Sequence, residues 1–548
     1  MRRTKALAAT GLVAALTLSA CGAGGGSDDG DNTLNMHIGE VRSLVPGGSG
    51  ESEGFRIIRN IYDGLYYYDA NTGEPTPILA EDVQTEDNTT WTIKIVEGRE
   101  FHNGEPVDAE AFIRNWNRVA YAPNALPLNY FMGTIEGYDA MNPDPLPEEE
   151  WADPETPEYG EVETKELSGL KAVDEYTLEV TLNRPFAGFS TMLGYEAFLP
   201  VAQECLDDVE ACEKSPIGNG PFMVDGEYDV NNGGSLVAWD DYQGDKPNID
   251  GVKYKTYLEG TDCWADFMTG DIDVCRPPAA KAEAAANDEL LAERRIQQDD
   301  TSILYLGFPM YDEKFEDVKV RRAISKAIDR EGVINVIDPD RANPFDSWVP
   351  STIMGGGQGL CGEDCEYDPE GAKKLLDEAG GWPEGETFKI YVNDSNDNLD
   401  VFKAVGDSIS NALGIEYETV PMQWPEFLAA REGHKLDGPF RGGWAPDYNM
   451  NENYLDPIYG GGAATNDFGY DSEEFTKALN DAGAADTMED SIKEYVKAEE
   501  VLAEDMPAAP IWVEKVNYFY SERVDNVVVN PMYNGPGGDA ELRIIEIK

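Results

Sequence analysis

The sequence predicts an α/β protein with at least two lobes. Its 548 residues exceed what one hydrophobic core organises, because chains beyond about 250–300 residues divide into domains. In the later half, strand-like Phe388–Val392 and Ile415–Val420 flank the helical pattern Leu399–Leu413. Strands that alternate with helices in this way favour a partly parallel sheet.

The first half carries two predicted strands and a capped helix. Thr90–Val96 and Glu175–Leu182 alternate apolar and polar side chains, as half-buried strands do. Asp108 has a side chain suited to a helix N-cap, and Phe112 and Trp116 follow at a spacing of four. These elements predict a small α+β unit ahead of the later α/β region.

Two further helices are predicted in the later half. After Asp317, the segment DVKVRRAISKAIDREGVI places apolar residues at helical spacing, which predicts a helix that runs at least to Ile328. A second helix is predicted to start after Asp368, with Pro369 at its first position and Gly380 just past its end.

The first 32 residues have the pattern of an exported lipoprotein. A basic start and the apolar run 6–20 indicate a signal peptide, and this run is too short to span a bilayer comfortably. Leu18-Ser-Ala-Cys21 resembles a bacterial lipobox, which implies that Cys21 is lipidated and becomes the mature N-terminus. An ordinary signal peptide with an incidental cysteine is the alternative. We therefore expect a signal peptide at 1–20 and a flexible tether at 21–32 that holds the protein at the outer face of the cell membrane.

The net charge limits the classes of partner that are expected, and the cysteine content indicates the cellular compartment. The formal net charge of −64 argues against nucleic acid and anionic lipid as partners and favours a solvated acidic surface. The six cysteines other than Cys21 form three close sequence pairs, for which local disulfides in an oxidising compartment are the simplest expectation. The pairs are Cys205/Cys212, Cys263/Cys275 and Cys361/Cys365.

The sequence contains no recognisable catalytic or cofactor motif. It lacks the G-x-S-x-G elbow, the H-E-x-x-H helix, the phosphate loop and the G-x-G-x-x-G turn. The three histidines, His37, His102 and His434, are scattered, and the calcium-like start at Asp394 lacks the required glycine and glutamate. We therefore expect neither an enzyme, nor a cofactor, nor a metal site. Binding is the favoured class.

The segment Phe440–Asn449, FRGGWAPDYN, is the strongest candidate for a binding site. Two glycines leave room for a close backbone approach, and Pro446 ends any strand, because it has no N–H to donate. Trp444 suits a pocket wall or the core equally well. Asp447 is either a ligand carboxylate or the cap of a following helix.

Several segments, in order, are similar to one family. They resemble the family-5 extracellular solute-binding proteins of ABC importers, and most closely the oligopeptide-binding lipoproteins, from about Thr33 to the C-terminus. The segments are IYDGL (61–65), TWTIKIVEGREFHNGEPVDAEAF (90–112), SPIGNGPF (215–222), WDDYQGDKP (239–247), DVKVRRAISKAIDRE (317–331), YDPEGAKKLLDEAG (367–380) and FRGGWAPDYN (440–449).

The resemblance implies a two-lobed periplasmic-binding-protein-like fold of type II, in the large peptide-binding subclass. Lobe I is expected to carry an extra α+β subdomain, and hinge strands are expected to join the lobes. The expected division is lobe I at 33–67, 183–299 and 515–548, the inserted subdomain at 68–182, and lobe II at 300–514. A peptide would be enclosed between the lobes and delivered to a permease whose ATPase is a separate subunit.

The resemblance also implies the roles of individual residues. Asp447 stands where the family places the carboxylate that meets the ligand's α-ammonium. Arg441 and Arg431 match arginines able to reach a ligand carboxylate, although either could pair with a nearby acid. The family's pocket near 393–400 can hold a histidine that this sequence lacks, which leaves recognition of the ligand carboxylate open. The remaining expected contacts are Gly443, Trp444 and Ala445 of the same segment, the aromatic walls Trp424 and Tyr305, and the loop residues Glu51 and Ser52.

Three hypotheses follow. The first is a monomeric lipid-anchored receptor that feeds oligopeptides to an importer, with a sensing role also open. The second is the same fold with another ligand, such as nickel, a glycan or a signalling peptide. The third, from a different class, is an extracellular hydrolase or adhesin.

Overall fold

The computed structural model describes residues 32–548 except 144–145, 147–159, 161, 163, 230–231, 258–260, 464 and 534–538. The predicted signal peptide, and the tether through residue 31 with Cys21, lie outside the described residues. Residues Thr33–Lys548 form one compact unit.

The strands fall along the whole of that unit. They are β1 Thr33–Ile38, β2 Tyr66–Tyr68, β3 Pro75–Pro77, β4 Ala80–Thr85, β5 Thr90–Ile95, β6 Leu170–Asp174, β7 Thr177–Thr181, β8 Phe222–Val224, β9 Ser235–Ala238, β10 Gly251–Thr256, β11 Val274–Cys275, β12 Arg295–Gly307, β13 Ala342–Pro344, β14 Phe388–Asn393, β15 Tyr417–Met422, β16 Phe440–Trp444, β17 Ala508–Tyr520, β18 Val524–Asp525, β19 Val529–Asn530, β20 Asp539–Ala540 and β21 Glu546–Ile547.

The helices also fall along the whole unit, and the two longest follow residue 310. They are α1 Ser52–Ile61, α2 Ala109–Ala120, α3 Tyr138–Met141, α4 Phe189–Met192, α5 Gln203–Asp207, α6 Val209–Lys214, α7 Trp264–Thr269, α8 Ala279–Ala286, α9 Glu289–Ala292, α10 Val318–Lys326, α11 Arg330–Ile337, α12 Pro369–Glu378, α13 Asn396–Leu413, α14 Trp424–Glu432, α15 Glu452–Tyr459, α16 Glu473–Gly483 and α17 Met488–Asp505. Within the described ranges, none of them combines the length and apolar character needed to cross a bilayer.

One large mixed sheet organises the described residues. Its strand order is β15-β14-β16-β12-β17-β11-β1-β10-β9-β8, and β13 pairs with β17 beside this path. The β14–β15 pair is parallel, as the alternating strand and helix pattern of the later half predicts, and the β1–β10 pair is parallel too. The β12–β16 and β12–β17 pairs are antiparallel.

The two long central strands join the two ends of this sheet. β12 and β17 each have 13 residues and pair along almost their full length. Their register shifts between Asp299 and Ile303 and again between Leu304 and Tyr305. Such irregularities interrupt the ladder and bend the strands. One end of the sheet is formed by β11, β1, β10, β9 and β8, and the other by β15, β14 and β16. The two ends therefore meet at a bent pair of strands.

Two main hydrophobic clusters lie on either side of that bend. One includes Leu34, Val252 and Val516, at the β1 and β10 end of the sheet. The other includes Ile303, Phe388 and Trp512, and it continues into a separate four-stranded sheet with the order β4-β5-β7-β6.

The small α+β unit follows the sequence pattern closely. Trp91, Ile93 and Ile95 of β5 are buried, and so are the apolar residues of β7. The Asp108 carboxylate accepts a hydrogen bond of 2.9 Å from the Ala111 N–H at the start of α2. Both predicted strands and the predicted cap are confirmed, because each depends on short-range chemistry.

The helix predicted after Asp317 is interrupted before Ile328. Asp317 caps α10 as expected, with 2.8 Å from its Oδ1 to the Lys319 nitrogen, but α10 ends at Lys326. Asp329 then accepts a hydrogen bond of 2.9 Å from the Gly332 N–H and starts α11. A second capping aspartate within the apolar pattern therefore divides the helix in two.

The later predictions hold with shifted ends. Pro369 is the first residue of α12, and Gly380, just past its end, has the left-handed φ of +105°. The predicted strand at Ile415–Val420 begins two residues later, as β15. The three close cysteine pairs form disulfides, which confirms local pairing.

We expect Asp329→Ala to lower the free energy of unfolding by about 1 kcal/mol, because it removes the side-chain acceptor at the start of α11. Denaturant unfolding measures the loss, and hydrogen exchange should show it at the Gly332 amide. Asp329→Asn is the matched control, since an asparagine oxygen can replace the cap. Equal stability of the alanine variant and the wild type would contradict the assigned cap.

Candidate functional site

Strand β16 has one paired edge and one free edge. On one side, all its residues pair with β12, from Ile303 opposite Trp444 to Gly307 opposite Phe440. On the other side, the described ladder with β14 contains only the Tyr391–Phe440 pair. Backbone groups of Arg441 to Trp444 on that edge are therefore available to another extended chain.

The two glycines of β16 are required by close neighbours. A Cβ atom added at Gly442 would lie 1.9 Å from Cε2 of Tyr305, whose ring covers this part of the strand. At Gly443 it would lie 3.0 Å from the Ile303 carbonyl oxygen. The glycine pair predicted to permit a close approach thus already accommodates β12 itself.

Asp447 follows the strand and does not cap the next helix. Its N–H donates to Oδ1 of Asn453 at 2.9 Å, and Nδ2 of Asn453 lies 3.4 Å from its Oδ2. The Tyr195 phenol also donates to the Asp447 carboxylate. Because α15 begins at Glu452 with Asn451 at its N-cap, the capping interpretation is wrong.

The side chain of Asp447 is partly buried, and none of the described residues provides a compensating cation. In the described part of the chain, no lysine or arginine lies within ion-pair distance of it. Burial raises the pKa of Asp447 to about 6, opposed by the hydrogen bonds from Tyr195 and Asn453, while nearby Glu196 adds to the increase. The site is therefore suited to a ligand that brings a positive charge.

A cavity of about 270 Å³ opens beside Asp447. Its wall combines residues of the FRGGWAPDYN segment with side chains from the region between residues 130 and 192. The lining residues are Tyr130, Phe131, Thr134, Arg184, Met192, Trp444, Asp447, Tyr448, Glu452, Asn453, Asp456, Pro457, Ala463 and Thr465. Aromatic and aliphatic groups with a few convergent polar groups are typical of a ligand pocket.

Polar contacts join the two walls. Nη2 of Arg184 lies 2.8 Å from Oδ2 of Asp456. Nearby, Nδ2 of Asn88 donates to the Ala485 carbonyl at 2.7 Å. These contacts hold segments that lie far apart in the sequence around the cavity.

The two predicted arginines differ in their partners. Arg431 is buried, forms an ion pair with Asp467 and lies over the rings of Phe427 and Phe440. Nε of Arg441 has no hydrogen-bond acceptor, and no carboxylate of the described residues lies within ion-pair distance of it. Burial lowers the pKa of Arg441, and the positive charge of Arg431 lowers it further. Arg441 is thus the cation that has capacity for an anionic ligand group.

The predicted residues form two groups, and some belong to neither. Trp444 and Asp447 line the cavity, whereas Arg441 and Gly443 lie on β16 and Tyr305 lies opposite Gly442 on β12. Trp424 is 47% exposed at the start of α14 and outside the cavity lining. Glu51 caps α1 through a hydrogen bond of 3.1 Å from the Gly54 N–H. Neither Glu51, nor Ser52, nor the partly buried Ala445 lines the cavity.

Most of the residues that line the cavity were not predicted from the sequence. Tyr130, Phe131 and Arg184 come from a region in which only strands and a helix were predicted. Glu452 and Asn453 follow the segment FRGGWAPDYN closely, so extension of the motif by four residues would have included them. Tyr195 carries no sequence signal, because its contact with Asp447 is a long-range one.

No group of His, Cys, Asp or Glu suited to a metal ion occurs among the described side chains. The three histidines have separate surroundings. His37 is buried, with Nδ1 3.4 Å from the Val274 carbonyl, and His102 lies 3.1 Å from the Gly220 carbonyl. His434 stacks on Tyr311.

Comparison with known proteins gives a consistent family. The model for bacterial extracellular solute-binding proteins, family 5 middle, matches residues 74–466. The oligopeptide-binding protein OppA of Bacillus subtilis (strain 168) is 24% identical over 555 residues, covering 94% of this chain and 95% of that protein. Heme-binding protein A of Haemophilus influenzae is 24% identical over 477 residues, covering 83% and 81%.

A solved structure shows the same fold. Listeria monocytogenes OppA bound to peptide superposes with a TM-score of 0.70 at 22% identity, covering 95% of this chain and all of that one. The predicted two-lobed, type II fold is confirmed by this likeness.

We expect Asp447→Asn to stabilise the ligand-free protein at neutral pH. The folded state raises this pKa from 3.8 to about 6, so the stability that the protonated carboxyl provides is lost as pH rises through 6. An asparagine avoids that loss. Urea unfolding of both proteins at pH 4 and pH 7.5 measures the difference, which should grow at the higher pH. A less stable variant at pH 7.5 would show that the carboxylate is well solvated.

Proposed function

Because the chain belongs to the family-5 bacterial extracellular solute-binding proteins, we propose that it captures oligopeptides between its two lobes and delivers them to the permease of an ABC importer. The observation that carries this proposal is the Asp447 carboxyl, which lines a cavity at the end of a strand with a free edge. All unmodified peptides share a backbone, which can pair with the strand edge, and an α-ammonium group, which can bind the acid.

The first shared feature is the peptide backbone. An extended peptide can add to the free edge of Arg441–Trp444, where main-chain hydrogen bonds supply affinity without selecting side chains. Gly442 and Gly443 carry no side chains that would hold the ligand's backbone away. This mode suits a carrier that accepts many sequences.

The second shared feature is the α-ammonium group. Asp447 would accept its hydrogen bonds in the position that Tyr195 and Asn453 already prepare. A charge-assisted hydrogen bond contributes about 1.5–3 kcal/mol. The ligand's positive charge also offsets the desolvation of the carboxylate, which no cation among the described residues does.

Arg441 is the proposed partner of a ligand carboxylate. It lies on β16, the strand that leads to Asp447, and its Nε lacks an acceptor. Arg431 is already engaged by Asp467, so its proposed role is to add positive potential beside Arg441. A guanidinium can bind a carboxylate through two parallel hydrogen bonds.

The order of strands in the large sheet supports a proposed division into lobes. We assign lobe I to 33–67, 183–299 and 515–548, lobe II to 300–514, and an inserted subdomain to 68–182. The bend between Asp299 and Ile303 lies at the proposed lobe boundary, which supports a hinge there. Opening at this hinge would separate Arg184 from Asp456 and expose the cavity.

The remaining parts of the proposal concern the cell. Cys21 would carry the lipid that anchors a monomeric protein to the outer face of the cell membrane, and a separate ATPase subunit would power the permease. The protein itself would catalyse no reaction. A different ligand is the alternative, because the family includes a relative named for heme.

We expect the mature protein to bind short free-amine peptides and to lose that binding when their amines are acetylated. Asp447→Asn should weaken free-amine peptides by about tenfold or more and should leave acetylated ones unaffected. Isothermal titration calorimetry measures both effects. Glu81→Gln, at an exposed position outside the cavity lining, is the matched control. Unchanged affinity in a folded Asp447→Asn protein would refute the amine site, and no binding of either peptide pool would refute peptides as ligands.

We also expect Cys21→Ser to release the protein from the membrane fraction without a change in peptide affinity. Loss of the thiol prevents lipid attachment, whereas the binding site lies in the folded unit. Fractionation of cells and calorimetry on the released protein test the two parts. A variant that stays with the membrane would show that another segment anchors it.

A further inference from the structure

A second acidic side chain in the cavity has unused hydrogen-bonding capacity. Glu452, the first residue of α15, is only 7% exposed and lines the same cavity as Asp447. Its Oε2 accepts a hydrogen bond from the Tyr448 phenol. Within the described ranges, no donor reaches its Oε1 and no cation pairs with it. A carboxyl oxygen without a partner, on a residue that lines a cavity, marks a place for a ligand donor.

The charges around Glu452 are mostly negative. Asp447 lies in the preceding segment and Asp456 one turn along the same helix, while Tyr495 of α17 is a neutral neighbour. Arg184 is the cation that faces this group, and Asp456 holds it at 2.8 Å. Two carboxyls of the lining, Asp447 and Glu452, are thus left without a cation of their own.

The walls beside these acids suit a cationic group on an aliphatic stem. Tyr130, Phe131 and Trp444 present aromatic surface to the cavity. Such surface packs against methylene groups and attracts an ammonium or guanidinium over its faces. The volume of about 270 Å³ leaves room for a long side chain as well as an α-amine.

We propose that this cavity receives the basic side chain of the ligand's first residue, with its cation at Glu452 while Asp447 holds the α-ammonium. The inference rests on the proposed peptide-binding function and adds a preference for lysine or arginine at the first position. The closeness of the two acids supports their use by one ligand residue. Asp447 and Glu452 are only five positions apart in the chain, and Asn453, next to Glu452, contacts Asp447.

Proton release provides a signature for this contact. Burial, and then the charge of Asp456, raise the pKa of Glu452 to about 8, so its carboxyl is mostly protonated at pH 7 in the empty site. A ligand cation favours the ionised form and displaces that proton. Peptides that begin with lysine should therefore release close to one proton at pH 7, and their preference should increase as pH rises toward 8.

The test compares Lys-Ala-Ala with norleucine-Ala-Ala, which has a similar stem and no side-chain charge. Calorimetry on the mature protein at pH 8.5 should show about tenfold tighter binding of the lysine peptide, and titrations at pH 7 in buffers of different ionisation heats should count the released proton. In Glu452→Gln, which keeps the acceptor for Tyr448, the preference should fall to within about twofold and the proton release should disappear. Equal circular dichroism spectra and thermal unfolding midpoints of the variant and the wild type would show that the variant is folded.

Glu500→Gln, at an exposed position of α17, is the matched control and should keep the preference. Equal binding of both peptides to the wild type, or an unchanged preference in Glu452→Gln, would overturn the inference and leave the proposed function intact. Failure of both peptides and of Ala-Ala-Ala to bind would overturn the proposed function, and this inference with it.

Discussion

The pairing of β12 with β17 is the interaction on which the rest of the structure depends. These two strands lie at the centre of the large sheet and are its longest members. β12 also carries β16 on its other edge, so the same ladder that connects the two ends of the sheet fixes the position of the candidate site. The register shift between Asp299 and Ile303 interrupts this ladder within β12.

One short segment of the site carries a positively charged side chain near its start and an acidic side chain near its end. Arg441 is an uncompensated cation near Arg431, and Asp447, six residues later, is an uncompensated carboxyl. Each is costly to bury alone, and proteins retain such groups where a ligand supplies the missing charge. A peptide with its carboxylate at Arg441 and its ammonium group at Asp447 would supply both missing charges. In a protein whose formal net charge is −64, two neighbouring arginines also stand out.

Features that depend on neighbouring residues were predictable, and features that depend on distant ones were not. The alternation in β5 and the Asp108 cap are local, and both were read from the sequence. The break after Lys326 was missed, because Asp329 resembles any polar residue on the outer face of a helix. The FRGGWAPDYN segment gave Trp444 and Asp447, but the opposite wall around Tyr130 comes from far along the chain. Among 106 acidic residues, nothing in the sequence marked Asp467 as the partner of Arg431.

The free edge of β16 also bears on self-association. An unpaired strand edge on an open surface invites the edge of another folded sheet, which leads to aggregation. Here the free stretch is short and interior to the large sheet, bounded by β14 where the Tyr391–Phe440 pair closes it, and Gly442 is buried. The free stretch is therefore poorly placed to pair with the edge of another folded sheet, and the formal net charge of −64 adds repulsion between neighbouring molecules.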